Sequence, residues 1–229
     1  MIVGRIGPQR AFFDLWARIY DFPPVQLATY RPVHNAVLRA LREHSPRRIL
    51  DVGCGTGQLA ARLLVEFPAV RWVGCDLSTG MLAQAALRLG IDAPAAPRTR
   101  RRGTDRQSAR VVRGDALHLP FRAGSVDAVV CTEAFHWFPD HDRALGEMFR
   151  VLAPGGTLLL ALVNPPLAIV SSLVHLGSRV AGQPLYWPTP TRLRAQLEAA
   201  GFRVDRQRRL VRFPGFLLPP MLTEARRLE

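Results

Sequence analysis

The chain carries an apolar segment that runs directly into a turn with three glycines. Ile49 and Leu50 lead into Asp51-Val-Gly-Cys-Gly-Thr-Gly57, and helix-forming residues follow at once. Glycine is needed where a turn adopts positive φ, or where a ligand approaches the backbone more closely than a Cβ permits. The pattern therefore predicts a strand, a tight turn and a helix, with a nucleotide-like ligand at the crossing.

The spacing of these glycines differs from that of a dinucleotide-binding turn. Such a turn reads G-x-G-x-x-G, whereas Gly57 comes one residue early and an acid, Asp51, precedes the turn. A carboxylate at this place repels a pyrophosphate but suits a ligand with an ammonium or sulfonium charge. S-adenosylmethionine carries both charges, so the turn favours this cofactor.

Five segments in order resemble those of the class I S-adenosylmethionine-dependent methyltransferases, small-molecule branch. They span residues 51–57, 70–81, 111–121, 125–138 and 144–160. In that family the acid ending the second strand, here Asp76, accepts hydrogen bonds from both ribose hydroxyls. The acid after the third strand, here Asp115, accepts one from the adenine amino group. The resemblance implies an enzyme that uses S-adenosylmethionine and releases S-adenosylhomocysteine.

The resemblance also implies a set of cofactor-binding residues. They are Asp51, Gly53, Cys54, Gly55, Gly57, Asp76, Leu77, Met81, Asp115, Ala116, Thr132 and Arg31. Tyr30-Arg31-Pro32 is similar to a stretch in trans-aconitate methyltransferase-like proteins, in which the arginine approaches the carboxylate of the cofactor. A surface arginine at the start of a helix is the alternative interpretation of Arg31. The acids Asp127 and Glu147 are interpreted as surface or helix-packing residues outside the site.

His136 is the candidate catalytic residue. In the family the loop after strand four faces the methyl group, and the hypothesis is that a neutral imidazole at His136 could take the proton from a hydroxyl nucleophile. The alternative is that His136 and Trp137 only pack over the cofactor, because methyl transfer needs alignment and a dry site more than a base. The loop lacks the Asn/Asp-Pro-Pro-Tyr motif of enzymes that methylate amino groups of bases. We therefore expect methylation of a small molecule at oxygen or carbon.

A single α/β domain is expected for 229 residues that are 48% hydrophobic. The resemblance implies a Rossmann-like three-layer sandwich whose mostly parallel seven-stranded sheet has an antiparallel last strand. The expected parts are a helical cap over 1–45 that acts as a lid, a cofactor-binding core over 46–164 and C-terminal helices and edge strands over 165–229. Residues 209–213 offer the candidate for the last strand, which leaves open an incomplete sheet edge.

The net charge of +13 comes entirely from arginine, since the chain has no lysine. Six arginines and one acid lie in the insert 93–110, which is expected to be a flexible loop. Three alternatives stay open: methylation of RNA, methylation of a membrane-associated lipid or quinone, and a regulatory module that binds the cofactor without catalysis. The insert has no aromatic residue for stacking on RNA, so a nucleic-acid partner is disfavoured.

The cysteines and the longest uncharged stretch bear on location and on metal binding. Cys54, Cys75 and Cys131 are dispersed and form no metal motif, so we expect no metal and a reducing cytoplasm. A monomer or homodimer is expected. The uncharged stretch between Arg150 and Arg179 is cut by prolines into pieces too short to span a membrane. Its helix-sized piece, 167–176, is expected to line an apolar pocket, to touch a membrane surface or to be core.

Overall fold

The computed structural model describes residues 30–92, 109–163, 168–180, 185–210 and 220–228. Most of the expected cap, residues 1–29, and most of the Arg-rich insert, residues 93–108, lie outside the described residues. Among the described residues, no helix is both long and apolar enough to cross a membrane.

Strands and helices alternate along most of the chain. The strands are β1 (Arg48–Val52), β2 (Arg71–Asp76), β3 (Ala109–Arg113), β4 (Val126–Thr132), β5 (Leu152–Val163), β6 (Phe202–Arg209) and β7 (Pro220–Arg227). The helices are α1 (Arg31–His44), α2 (Gln58–Glu66), α3 (Thr79–Leu89), α4 (His141–Val151), α5 (Ala168–Val180) and α6 (Pro190–Ala199), with a 3-10 turn at Phe135–Trp137.

One seven-stranded sheet holds the molecule together, in the order β3-β2-β1-β4-β5-β7-β6. The strands β1 to β5 pair in parallel, and β7 runs antiparallel to both β5 and β6. The expected mostly parallel sheet with an antiparallel last strand is therefore confirmed, and all seven strands are present.

The expected position of the last strand was wrong. Arg209 ends β6, and the antiparallel strand is Pro220–Arg227. It lies inside the sheet, where Leu222, Thr223 and Glu224 are all buried. Its polar residues do not alternate with apolar ones because helix layers cover both faces of the sheet here, with Leu222 in one core layer and Ala225 in the other. Pro220 is accommodated as the first residue of the strand.

Helices cover both faces of the sheet. On one face α1, α2 and α3 pack through residues such as Val37, Leu63 and Leu82. On the other face α4 and α6 pack through residues such as Met148 and Leu193. This is the expected three-layer arrangement, and neighbouring strand residues point to opposite layers as the two-residue period of a strand requires.

Helix α1 belongs to one of these layers. Val33, Val37, Leu38 and Leu41 recur at helical spacing, and the apolar face that they form is buried. The helix ends at Ser45, which adopts left-handed φ.

Asp127 and Glu147 both serve the framework, as interpreted. Asp127 accepts hydrogen bonds from the backbone N–H groups of Arg47 and Arg48, and from the Arg48 guanidinium at 2.6 Å. Burial alone would raise the pKa of Asp127, but these hydrogen bonds lower it overall. Glu147 accepts from the Leu119 N–H at 2.8 Å and pairs with Arg150. Both carboxylates thus join segments of the fold.

Candidate functional site

The glycine turn after β1 adopts backbone conformations that favour glycine. Gly53, Gly55 and Gly57 have φ of 73°, 55° and 74°. A Cβ on Gly53 would lie 2.3 Å from the Cβ of Ala134. By contrast, a Cβ on Gly55 would meet no atom of the described residues within 4 Å. The turn is therefore closed on the Gly53 side and open at Gly55, where a ligand has room to approach the backbone.

Two backbone hydrogen bonds tie this turn to the end of β2. The N–H groups of Gly53 and Cys54 donate to the carbonyl of Cys75 at 2.7 and 3.2 Å. Gly57 precedes the first residue of α2, and a Cβ there would lie 3.1 Å from that of Ala85 in α3. The turn is thus held against both neighbouring elements.

Asp76 is positioned by backbone donors at the end of β2. Its Oδ2 accepts from the N–H of Gly55 and its Oδ1 accepts from the N–H of Ser78, both at 2.9 Å. Ser78 in turn caps α3 by accepting from the N–H of Met81 at 3.1 Å. These contacts fix the Asp76 carboxylate at the carboxyl end of β2, where the ligand edge of an open α/β sheet lies.

Asp51 is the buried acid of the site. Burial raises its pKa to about 7; the nearby Trp72 indole opposes this increase, and the charge of Asp76 adds to it. Its Oδ1 makes no hydrogen bond with any described residue. A buried carboxylate oxygen without a partner is costly, and an ammonium group would compensate it. This orphan oxygen, beside a glycine turn open to a ligand, fits the cofactor that the sequence indicates.

Asp115 belongs to the same edge of the sheet. The N–H of Gly114 donates to the carbonyl of Asp76 at 3.1 Å, which joins the end of β3 to the end of β2. Burial raises the pKa of Cys75 to about 12, with further contributions from the charges of Asp76, Asp115 and Asp51. All three predicted acids are therefore near enough to one buried thiol to affect its pKa, and they lie at the same edge of the sheet.

Asp115 and the other predicted cofactor-binding residues differ in how deeply they are buried. Its Oδ1 accepts from the N–H of Leu117 at 2.9 Å, and Ala116 between them is buried. Leu77 is half-buried directly after Asp76, whereas Met81 is buried in α3. Cys54 is half-buried, and burial raises the pKa of its thiol well above the usual value. It is therefore an un-ionised thiol in the turn.

Arg31 lies exposed at the first residue of α1. The pKa of Arg62 in α2 is lowered by burial and then by the charge of Arg31. Arg31 therefore lies near α2, the helix that begins directly after the glycine turn. No described contact joins Arg31 to the three acids, so its approach to a cofactor carboxylate stays a prediction.

A sharp turn follows Thr132 at the end of β4. Glu133 has φ of 53°, an uncommon value for a residue with a side chain. Its N–H donates to the carbonyl of Ala161 in β5 at 2.7 Å. This turn directs Ala134 onto Gly53 and starts the 3-10 segment. Sequence reasoning missed the role of Glu133, since no sequence signal marks positive φ at a glutamate.

His136 is buried in that 3-10 segment among other rings. Its ring lies 5.4 Å from Trp137 and 5.9 Å from Trp187, measured between centroids. Burial, helped by the neighbouring His141, lowers the pKa of His136 to about 3. Its Nδ1 makes no hydrogen bond with a described residue. The imidazole is therefore neutral and, in this conformation, a weak base.

Residues from a distant part of the chain complete this cluster. The N–H of Tyr186 donates to the carbonyl of His136 at 2.8 Å, and Trp187 packs edge-on against the imidazole. His141 stacks on Phe135 and donates from Nε2 to the Phe135 carbonyl at 3.1 Å. Sequence reasoning missed Tyr186 and Trp187, because nothing local indicates that a segment just before α6 returns to the β4 loop.

Comparisons with known proteins agree with this geometry. A family model described as "Methyltransferase domain" matches residues 50–160. A demethylmenaquinone methyltransferase of Deinococcus radiodurans is 36% identical over 211 residues, which cover 83% of this chain and 80% of that protein. A malonyl-[acyl-carrier protein] O-methyltransferase of Geobacter sulfurreducens is 44% identical over 117 residues, which cover 51% of this chain and only 39% of that protein.

A solved structure with the same fold carries a bound cofactor product. It is a 1,6-didemethyltoxoflavin-N1-methyltransferase of Burkholderia thailandensis with bound S-adenosylhomocysteine. The TM-score is 0.69, the sequence identity is 21%, and the match covers 96% of this chain and 88% of that chain. At this identity the likeness supports the fold alone.

The sheet order and the glycine turn with its three acids define a Rossmann-like methyltransferase. The chain belongs to the S-adenosylmethionine-dependent methyltransferases. It is an enzyme that uses S-adenosylmethionine to methylate a small-molecule acceptor.

Proposed function

We propose that the acceptor is a reduced quinone of the demethylmenaquinone type, methylated at a ring carbon. The observation that carries the proposal is the group of rings at the carboxyl end of β4, where Trp137 and Trp187 flank the buried His136. Ligands of open α/β sheets lie at this edge, and aromatic side chains align a planar ring by stacking. Relatives that match over most of their length include demethylmenaquinone methyltransferases.

The residues of the β1–β3 edge are assigned to cofactor binding. Asp51 pairs with the ammonium group, Asp76 accepts from the ribose hydroxyls, and Asp115 accepts from the adenine amino group. The backbone at Gly53, Cys54, Gly55 and Gly57 lines the ligand, and Leu77, Met81, Ala116, Thr132 and Arg31 complete the set. When bound, S-adenosylmethionine supplies an electrophilic methyl group, so the protein mainly aligns the acceptor and excludes water.

A product assay tests the quinone proposal. The purified chain is incubated with S-adenosylmethionine and a short-chain demethylnaphthoquinol under reducing conditions, and products are identified by mass spectrometry. We expect a ring-methylated product. trans-Aconitate and malonyl-[acyl-carrier protein] serve as carboxylate controls. Methyl-ester formation on either control, with no methylated quinol, would overturn the proposal.

His136 was the candidate base from the sequence, and His136→Gln distinguishes that role from packing. The pKa of about 3 favours the packing role, so we expect the kcat of the variant to stay within about tenfold of wild type. A loss of about a hundredfold or more, with KM unchanged, would assign proton transfer to the imidazole. Circular dichroism of the variant controls for unfolding.

Organisation, assembly and location are proposed in the same way. We propose one domain and a cytoplasmic monomer or homodimer, supported by a single continuous sheet and by three cysteines without disulfides. Size-exclusion chromatography with light scattering gives the oligomeric state. An assembly larger than a dimer would contradict the proposed oligomeric state.

A further inference from the structure

The outer face of α5 carries a stripe of exposed aliphatic side chains. Ile169, Leu173 and Leu176 are 66%, 63% and 61% exposed. They occupy positions i, i+4 and i+7, which lie on one face of a helix. Of the six large hydrophobic residues that are exposed among the described residues, three lie in this stripe and the other three lie on separate elements. The exposure is therefore concentrated in one patch.

Charged residues are missing along the whole length of this stripe. The sequence has none between Arg150 and Arg179, the latter in the last turn of α5. A helix face that stays in water normally carries charged side chains. The outer face of α5 is thus suited to contact with an apolar surface.

The inner side of α5 contacts the segment at Leu185 and Tyr186, which packs against the loop after β4. Nδ1 of His175 donates to the carbonyl of Leu185 at 2.9 Å, and the ring lies 4.7 Å from that of Tyr186. Ser178 Oγ accepts from the N–H of Leu185 at 2.8 Å. Because Tyr186 also bonds to His136, these contacts hold the stripe at a defined place beside the β4 loop.

Electrostatics argue for an anionic apolar surface. The chain carries a net charge of +13. Two copies of the chain therefore repel each other, whereas an anionic lipid surface attracts the chain. Exposed Arg192, at the start of α6, lies close enough to His141 for its charge to lower the pKa of that ring, after the larger effect of burial. A cation is therefore present near the loop that α5 flanks.

We propose that Ile169, Leu173 and Leu176 dock the enzyme on the surface of an anionic phospholipid bilayer. The aliphatic side chains enter the boundary between headgroups and acyl chains while arginines remain at the headgroups. Docking places the β4 loop beside the bilayer, from which an apolar acceptor reaches the aromatic cluster. The delivery of a membrane-borne acceptor rests on the proposed function, but the docking itself does not.

Vesicle binding tests the docking surface directly. The full chain is sedimented with vesicles of phosphatidylglycerol and phosphatidylcholine, and a double variant, Leu173→Gln with Leu176→Gln, is compared with wild type. Removing two partly inserted leucines is expected to weaken binding by about tenfold or more. The matched control is Val65→Gln with Leu87→Gln, which alters two side chains that are 83% and 78% exposed on α2 and α3. This control is expected to bind like wild type.

Two results would overturn the proposal. One is equal vesicle binding by wild type and the α5 double variant. The other is a lower thermal stability or a changed oligomeric state of the α5 variant with its vesicle binding intact, which would show that the chain itself or a second copy covers the stripe.

Turnover separates this proposal from the quinone assignment. We expect the α5 variant to methylate a short-chain quinol in solution as wild type does, and to lose activity only with acceptor embedded in vesicles. If no quinol is methylated by any variant but vesicle binding still depends on Leu173 and Leu176, the acceptor assignment fails while the docking surface stands.

Discussion

Single residues in the glycine turn combine two constraints that can be separated. Gly53 needs both its positive φ and the absence of a Cβ, because Ala134 approaches it. Gly55 needs only the positive φ, since its surroundings are open. The two glycines therefore form a matched pair for mutation.

Gly53→Ala is expected to lower the free energy of unfolding by about 2 to 4 kcal/mol, as strain at positive φ adds to a close contact. Gly55→Ala is expected to cost about 1 kcal/mol from its φ alone. Urea denaturation of both variants measures the difference. Ala134→Gly in the Gly53→Ala background should recover the part due to contact, and no recovery would contradict the packing explanation.

The raised pKa of Asp51, together with its proposed pairing with the cofactor ammonium, predicts that cofactor affinity depends on pH. Its carboxyl has a pKa of about 7 without cofactor, so it is largely neutral below that pH and ionised above it. An ammonium ligand pairs with the ionised form. We therefore expect affinity for S-adenosylmethionine to fall by up to about tenfold per pH unit below 7, measured by calorimetry. Asp51→Asn should bind weakly at every pH, and a wild-type affinity independent of pH would contradict this role.

At the scale of elements, β7 is stabilised by its position between two other strands of the sheet. It supplies hydrogen bonds to β5 and β6, and Leu222 at its centre is fully buried. Glu224 beside it is buried too, 3.5 Å from the Arg208 guanidinium. The strand is therefore an interior strand, one position from the edge of the sheet.

Leu222→Ala is expected to lower the free energy of unfolding by about 2 to 5 kcal/mol, through lost burial and the cavity left behind. Leu228, one residue beyond the strand and 48% exposed, is the control. Leu228→Ala should change stability by less than about 0.5 kcal/mol. Chemical denaturation measures both, and equal effects would show that β7 is not packed as described.

Across the whole molecule, buried histidines set the response to acid. Burial lowers the pKa of His34 to about 4, of His136 to about 3 and of His141 to about 4. In the unfolded chain these rings take up protons near pH 6.5, whereas in the folded protein they stay neutral until about pH 4. Acid therefore favours the unfolded state over this interval.

The free energy of unfolding is accordingly expected to be largest above about pH 6.5 and to fall as the pH drops toward 4, by several kcal/mol in total. Asp51 acts in the opposite direction, because its raised pKa makes the folded state bind a proton that the unfolded state releases. Three histidines outweigh one acid. Urea denaturation between pH 4 and 7 measures the slope, and His136→Gln should make it shallower. A slope that His136→Gln leaves unchanged would contradict this assignment.

Local chemistry made much of the fold and part of the site predictable. Positive φ at a glycine depends on the residue itself, and an acid directly after an apolar strand lies at the carboxyl edge of a parallel sheet. For this reason the turn at 53–57, together with Asp51, Asp76 and Asp115, could be located before any coordinates. The apolar face of α1 was predictable too, because helical periodicity is a property of neighbouring residues.

What the sequence by itself determined is the sheet-and-helix framework and the class of donor at the glycine turn. Only the tertiary structure decided that β7 enters between β5 and β6, and that Tyr186 and Trp187 close around His136. It alone decided that burial raises the pKa of Asp51 and lowers that of His136, and that the aliphatic face of α5 points outward. The reason is physical: backbone preferences act over a few neighbouring residues, whereas strand pairing, burial and the pKa of a buried group depend on atoms contributed from distant parts of the chain.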